Sequence, residues 1–344
     1  MEDDRMPLAQ TTPANTAVLL LAHGTPNVLG EMPEYLSNVT GGRQMPHEVV
    51  EELQHRYAEI GLLDTPGAEP PPLTKWTFAQ QDGLARALAA KDIPLPVSAA
   101  MRNWHPYIAN VVAQLRSDGI QRIIAICLAP QNSRTSIGLY RRALMSVSDG
   151  LEVNFIDAWS EEPLLIEAFA QRLLETYPQA CAEMDTALPV LFTAHSVPCR
   201  TIMTGEASVA GARPGTQPQT TPDPYPVEAK RTAELVFASA AQREPRLNRW
   251  FFAFQSQGVA GGPWIGPTVE ETLAAIRDEG HKGVVLQPIG FLCDHVEILY
   301  DIDIAFTQTA KELGLRLWRP QSLNDSPVLA EALAHVVARI YTHL

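Results

Sequence analysis

The residue pattern predicts an α/β protein of two Rossmann-like domains, each with a four-stranded parallel sheet, and an active-site cleft between them. Three observations lead there. Short apolar, β-branched runs recur in two sets of four, amphipathic stretches stand between them, and reactive polar side chains follow directly on two of the runs. Continuous apolar strands alternating with helices signal a parallel sheet covered on both faces. Ligands of such sheets bind beyond the carboxyl ends of the strands, so a cleft facing those ends is the default site.

Taken in order, the strands expected of the first domain are Ala17–Ala22, the segment around Pro96–Ala100, Arg122–Leu128 and Leu151–Ile156. The stretches Pro46–Gly61, Phe78–Ala90 and Tyr107–Asp118 carry apolar residues at helical spacing. The second domain repeats the scheme. Its strands are expected at Leu188–Phe192, Arg249–Ala253, Gly283–Gln287 and Leu315–Trp318, its helices at Pro163–Tyr177, Val227–Ala240 and Val269–Glu279. On this reading the domains span 13–160 and 161–325, and residues 326–344 form a C-terminal helix, Pro327–His343. Two segments look like insertions: Leu63–Pro72, rich in Pro and Gly, and Met203–Pro222, long and polar, either a cleft lid or a lineage-specific loop.

Composition narrows the class. A chain of 344 residues suits two domains, and 46% hydrophobic content is ordinary for a globular protein. No apolar run approaches the roughly 18 to 20 residues that span a bilayer. The acidic start lacks the basic and apolar regions of a signal peptide, so a cytoplasmic protein is expected. Four scattered cysteines without a Cys-x-x-Cys pair are expected as reduced thiols. A formal charge of −13 argues against nucleic acid or an anionic membrane as partner, and it is compatible with attracting a divalent cation.

The chemistry concentrates in Pro288–Asp303, which runs from an apolar strand into a helix bearing Asp294, His295, Glu297, Asp301 and Asp303. Four residues separate Glu297 from Asp301, so both project from one helical face and suit a relay for a hard cation or for protons. A second imidazole, His195, directly follows the run Leu188–Ala194. Its ordinary pKa near 6.5 lets it exchange protons at neutral pH, and neutral imidazole also ligates Fe²⁺.

These segments resemble the ferrochelatase family. The turn Ala194-His-Ser-Val-Pro198 and the run from Pro288 to Tyr300 carry its hallmarks. Colinear matches lie at Gly24-Thr-Pro26, His55-Arg-Tyr-Ala-Glu-Ile-Gly61, Leu128-Ala-Pro-Gln-Asn-Ser133, Asp223-Pro-Tyr-Pro226, Phe254-Gln-Ser-Gln-Gly258 and Pro263-Trp-Ile-Gly-Pro267. The resemblance implies a type II chelatase-like fold and insertion of Fe²⁺ into a porphyrin in haem biosynthesis, without an organic cofactor. It implies His195 as proton acceptor or metal ligand, Glu297 as its carboxylate partner at the metal, and Asp301 as the group passing protons or metal to Glu297. In many relatives the acidic row goes one turn further, where this chain has Ala305. Asp294 is expected to cap the helix, His295 to be a buried hydrogen-bonding partner and Trp264 to pack near the cleft wall.

Arg56, Tyr57 and Tyr140 match positions that contact the macrocycle in coproporphyrin-type bacterial relatives. A rim arginine of those relatives corresponds to Thr40, with only Arg43 nearby, and the usual Gly-x-Ser-Pro-Leu loop is replaced by Pro70-Pro-Pro-Leu73. Where they carry Tyr in a strand-end Ala-Tyr-Gly-Thr-Pro, this chain has His23, either an axial group on bound product or a hydrogen-bonding residue of the first β–α turn. The chain ends at Leu344 without a cysteine-bearing extension, so no iron–sulfur cluster is expected. The segment Leu128–Tyr140 favours coproporphyrin III as substrate. Protoporphyrin IX, a cobalt or nickel hydroporphyrin chelatase, and a non-catalytic porphyrin or haem carrier are the alternatives. A monomer is expected.

Overall fold

A computed structural model describes residues 15–203, 222–258 and 263–343. Most of the polar segment 203–222 lies outside the described residues. The strands β1 (Thr16–Ala22), β2 (Val97–Met101), β3 (Arg122–Cys127) and β4 (Glu152–Ile156) form one sheet in the order β2-β1-β3-β4. The strands β5 (Val190–His195), β6 (Trp250–Gln255), β7 (Gly283–Pro288) and β8 (Arg316–Trp318) form a second, in the equivalent order β6-β5-β7-β8. Every pairing is parallel. Both sheets are of the predicted kind.

The helices are α1 (Met32–Val39), α2 (His47–Glu59), α3 (Pro72–Ala89), α4 (Ile108–Ser117), α5 (Ile137–Met145), α6 (Pro163–Met184), α7 (Cys199–Met203), α8 (Tyr225–Ala241), α9 (Val269–Asp278), α10 (Val296–Leu299), α11 (Thr307–Glu312) and α12 (Pro327–Tyr341). Because side chains alternate along a strand, β1 serves two cores. Leu19 and Leu21 face α4 and α5, whereas Val18 and Leu20 belong to an apolar cluster that also takes in Phe192 and Val285 of the second sheet and Leu333 of α12. A third cluster fills the outer face of the second sheet, around Leu191, Val284 and Leu286.

Helix α12 lies against α3 and α6. Lys91 pairs with Glu331 at 2.7 Å, and Gln80 donates to the Asn324 carbonyl at 2.8 Å just before the helix. At its middle, His335 Nδ1 stands 2.7 Å from Glu162 Oε1 at the start of α6.

Three elements depart from the sequence expectation. Helix α3 starts at Pro72 rather than Phe78; a proline in the first turn forgoes no hydrogen bond, and Thr77 folds its hydroxyl back on the Leu73 carbonyl at 2.7 Å. Helix α6 runs on through Pro178 to Met184, where proline should stop it. Tertiary contacts hold it, since the Tyr177 hydroxyl reaches the Leu188 and Arg246 carbonyls at 2.8 and 2.9 Å. Finally, the single regular helix expected from Glu297 through Asp303 is a short α10 followed by a π-helical turn over Asp301–Phe306. There the Ala305 amide bonds the Tyr300 carbonyl at 2.9 Å, five residues back. Such turns insert one residue into a helix and are frequent at functional sites.

Candidate active site

The carboxyl ends of β1, β2, β5 and β7 open on one cavity of about 1160 Å³ between the two sheets. Two glycines shape the turns that lead into it. Gly24 has φ +88°, and a Cβ there would stand 2.9 Å from the Trp104 backbone nitrogen, so the chain leaves β1 by a path closed to other residues. Gly290 lets the segment after β7 lie on Ala194, where a Cβ would come to 3.0 Å. Thus His195 at the end of β5 and Glu297 at the start of α10 are brought together.

His195 Nε2 lies 3.2 Å from Glu297 Oε1, and His295 Nε2 lies 3.4 Å from Glu297 Oε2. The Nδ1 atom of His195 contacts the Ser196 carbonyl, and that of His295 the Cys293 carbonyl at 3.0 Å, so both rings turn Nε2 toward the carboxylate. Burial alone favours the neutral forms of His195 and Glu297. For Glu297, burial pushes the pKa up, but the His195 and His295 imidazoles win and hold it well below the usual carboxylate range. For His195, burial pulls the value down, and the charge and hydrogen bond of Glu297 more than reverse it. Gln255 fixes the backbone here, accepting from Thr193 Oγ1 at 2.6 Å and donating to the Glu297 carbonyl at 2.8 Å. The Tyr225 hydroxyl donates to the His195 carbonyl at 2.9 Å.

Asp301 also lines the cavity, held by the Ser256 hydroxyl and 3.7 Å from Arg56 Nη1. Burial raises its pKa and the Glu297 charge adds to this, against the Ser256 hydrogen bond. Arg56 is engaged with Glu52 at 2.9 Å and lies over the Tyr300 ring at 5.3 Å. Tyr57 and Tyr140 face the cavity as buried phenols; burial pushes Tyr57 up to about 12 and Tyr140 higher still. Trp264 lines the wall, with ring centroids 6.4 Å from His195. Cys293, also in the wall, is buried, and burial raises its thiol far above its ordinary range.

His23 is tied down within the first turn. Its Nε2 accepts from Asn103 Nδ2 at 2.9 Å, while Nδ1 lies 3.2 Å from the Gly24 carbonyl and 3.1 Å from the Tyr35 hydroxyl. Burial first, then the Arg102 charge, pulls its pKa down to about 4, so the ring is neutral. An axial bond to a metal requires it to leave Asn103.

Asp294 does not cap the helix. His295 occupies the cap position, and the Asp294 carboxylate instead accepts from Ser322 at 2.7 Å and Asn324 at 2.9 Å and faces Arg319. His295 is the hydrogen-bonding partner expected, tied to the Cys293 carbonyl and turned toward Glu297. Thr40 is folded onto its own helix end, its hydroxyl bonding the Leu36 and Arg43 carbonyls at 2.7 and 2.8 Å, and Arg43 is exposed. Arg102 and Tyr35 were not singled out from sequence, and Gln255 and Ser256, within the matched run Phe254–Gly258, were given no role there. Among the described residues no group of three His, Cys, Asp or Glu side chains is spaced to hold a resident metal ion.

Two sheets of like order around a cleft with an imidazole–carboxylate pair define the type II chelatase fold. The solved sirohydrochlorin chelatase of Bacillus subtilis subspecies spizizenii shares it, at a TM-score of 0.50 over 94% of each chain with 12% identity. A ferrochelatase family profile matches residues 15–340, and the chain belongs to the ferrochelatase family. It is 54% identical over 321 residues to the ferrochelatase of Acidobacterium capsulatum, covering 93% of each chain. It is 30% identical over 328 residues to the coproporphyrin III ferrochelatase of a Geobacillus strain, covering 94% of this chain and 96% of that one. Family membership supports an enzyme that inserts metal into a porphyrin in haem synthesis.

Proposed function

We propose that the chain inserts Fe²⁺ into coproporphyrin III, with His195 and Glu297 as the catalytic pair. The observation that carries this reading is the carboxylate held between two imidazoles in a cavity of about 1160 Å³. The reaction exchanges one Fe²⁺ for two pyrrole protons and needs no organic cofactor. His195 in its neutral form accepts a pyrrole proton at Nε2. Glu297 supplies a hard oxygen that offsets loss of the ion's hydration shell without the grip of a thiolate. Asp301, with its raised pKa, relays protons or metal to Glu297. Arg56, Tyr57 and Tyr140 bound the macrocycle.

Coproporphyrin III carries four propionates and suits a water-soluble, cytoplasmic enzyme. Similarity to relatives named coproporphyrin III ferrochelatase supports that substrate. Protoporphyrin IX is the competing substrate, since the Acidobacterium relative is named only ferrochelatase. The test is an anaerobic assay of purified protein with Fe²⁺ and each porphyrin, without detergent. Faster metallation of coproporphyrin III is expected, and loss of about 10² to 10⁴ in rate for His195→Ala. Preference for protoporphyrin IX reverses the substrate, and near wild-type turnover by the variant removes His195 from the chemistry.

A further inference from the structure

Arg102 follows β2 directly, its amide bonded to the Ala22 carbonyl at 3.0 Å, and its side chain lines the cleft over the Tyr140 ring at 5.7 Å. Among the described residues no carboxylate lies within ion-pair distance of it, and its buried Nε has no hydrogen-bond partner. Buried charges in proteins are paired or hydrogen-bonded, and here burial lowers the guanidinium's own pKa. The other guanidinium at the first-domain wall, Arg56, is already taken by Glu52 and Asp301. Thr40, which replaces the rim arginine of relatives, is turned onto its helix end, and the exposed Arg43 is not among the residues lining the cavity. Glu48 and Glu52 of the first half and Glu270, Glu297 and Asp301 of the second also line the cavity, yet none of them pairs with Arg102, which stands beside neutral His23 as an unanswered cation.

We propose that Arg102 is a binding residue for a carboxylate of the tetrapyrrole, holding one propionate while the ring plane lies along Tyr140. This rests on the porphyrin-metallating reading of the cleft. A guanidinium presents a planar fork matched to a carboxylate, and such charge-assisted pairs are the strong ones.

The experiment compares binding of coproporphyrin III with that of its tetramethyl ester, which has the same ring and no carboxylate, by fluorescence titration in one detergent buffer. Arg102→Leu is expected to weaken the free acid about tenfold or more and to leave the ester unchanged, with Arg102→Lys recovering part of the loss. In turnover, KM for the free acid should rise by a larger factor than kcat falls. Unchanged affinity for the acid overturns the proposal. Equal weakening of acid and ester also overturns it, because it shows that Arg102 only packs on Tyr140. Arg102→Gln, which keeps the stem over the ring, gives the same comparison should the leucine variant fail to fold. Failure of the underlying reading shows separately, as wild-type protein that metallates no porphyrin.

Discussion

Glu297 lies between two imidazoles, and that arrangement fixes how the site answers to pH. The folded pKa of His195 is raised, so its pairing stabilises below the ordinary value of 6.5 and is lost as pH climbs through the raised value. The folded pKa of Glu297 is depressed, so its contribution is present above its ordinary 4.5 and is lost as pH falls. Glu297→Gln should cut metal insertion by about 10² or more and, by freeing His195, move the rising limb of the pH–rate profile to lower pH. Asp301→Asn should be milder; the opposite ranking at saturating iron overturns the proposed order of the relay. His23 carries the reverse sign. Its pKa falls from 6.5 to about 4, so the unfolded chain binds the proton more readily and stability declines as pH drops across that interval. The gap corresponds to about 3 kcal/mol. Urea midpoints at pH 7 and pH 4.5 should diverge for wild type and converge for His23→Gln; equal divergence in both overturns the assignment. That His195 and Glu297 face one cleft was legible in the sequence, because His195 directly follows an apolar run and Glu297 lies in the polar stretch where another such run leads into a helix. The roles of Arg102 and Gln255 were not legible, because they rest on what surrounds them: an absent counter-charge in one case, bonds to Thr193 and the Glu297 carbonyl in the other.

The strands were legible as elements for a physical reason: a strand buried on both faces has no polar positions, and β1 is buried throughout. The π-helical turn was hidden, since Asp301-Ile-Asp-Ile-Ala-Phe306 is also acceptable in an ordinary helix. Its ladder is set by tertiary demands. Ile302 and Phe306 enter the outer core of the second sheet while Asp301 reaches Ser256. The short helices α1 and α5 went unnoticed because few residues give little periodicity to read. The turn after β1 offers the sharpest test at this scale. Gly24→Ala forces a side chain into positive φ against Trp104, and a loss of about 1–3 kcal/mol is expected, read as a lowered urea midpoint. An unshifted midpoint shows that the turn relaxes freely.

In the whole molecule, the sequence suggests two domains, yet the largest apolar cluster runs from Leu20 and Ile126 through Leu333 to Phe192 and Val285 without a break between the halves. Urea unfolding followed through Trp104, buried in the first half, and through Trp250, on β6 of the second, should therefore give one coincident transition. Separate midpoints indicate that the halves are independent. A clamp whose jaws share one dry core cannot swing wide, because every degree of opening wets aliphatic surface at about 25 cal/mol per Å². The width of the mouth is thus built in at folding. For a flat, rigid guest the expected way in is edgewise past rim side chains, so substitutions at those few residues should change the pace of its escape.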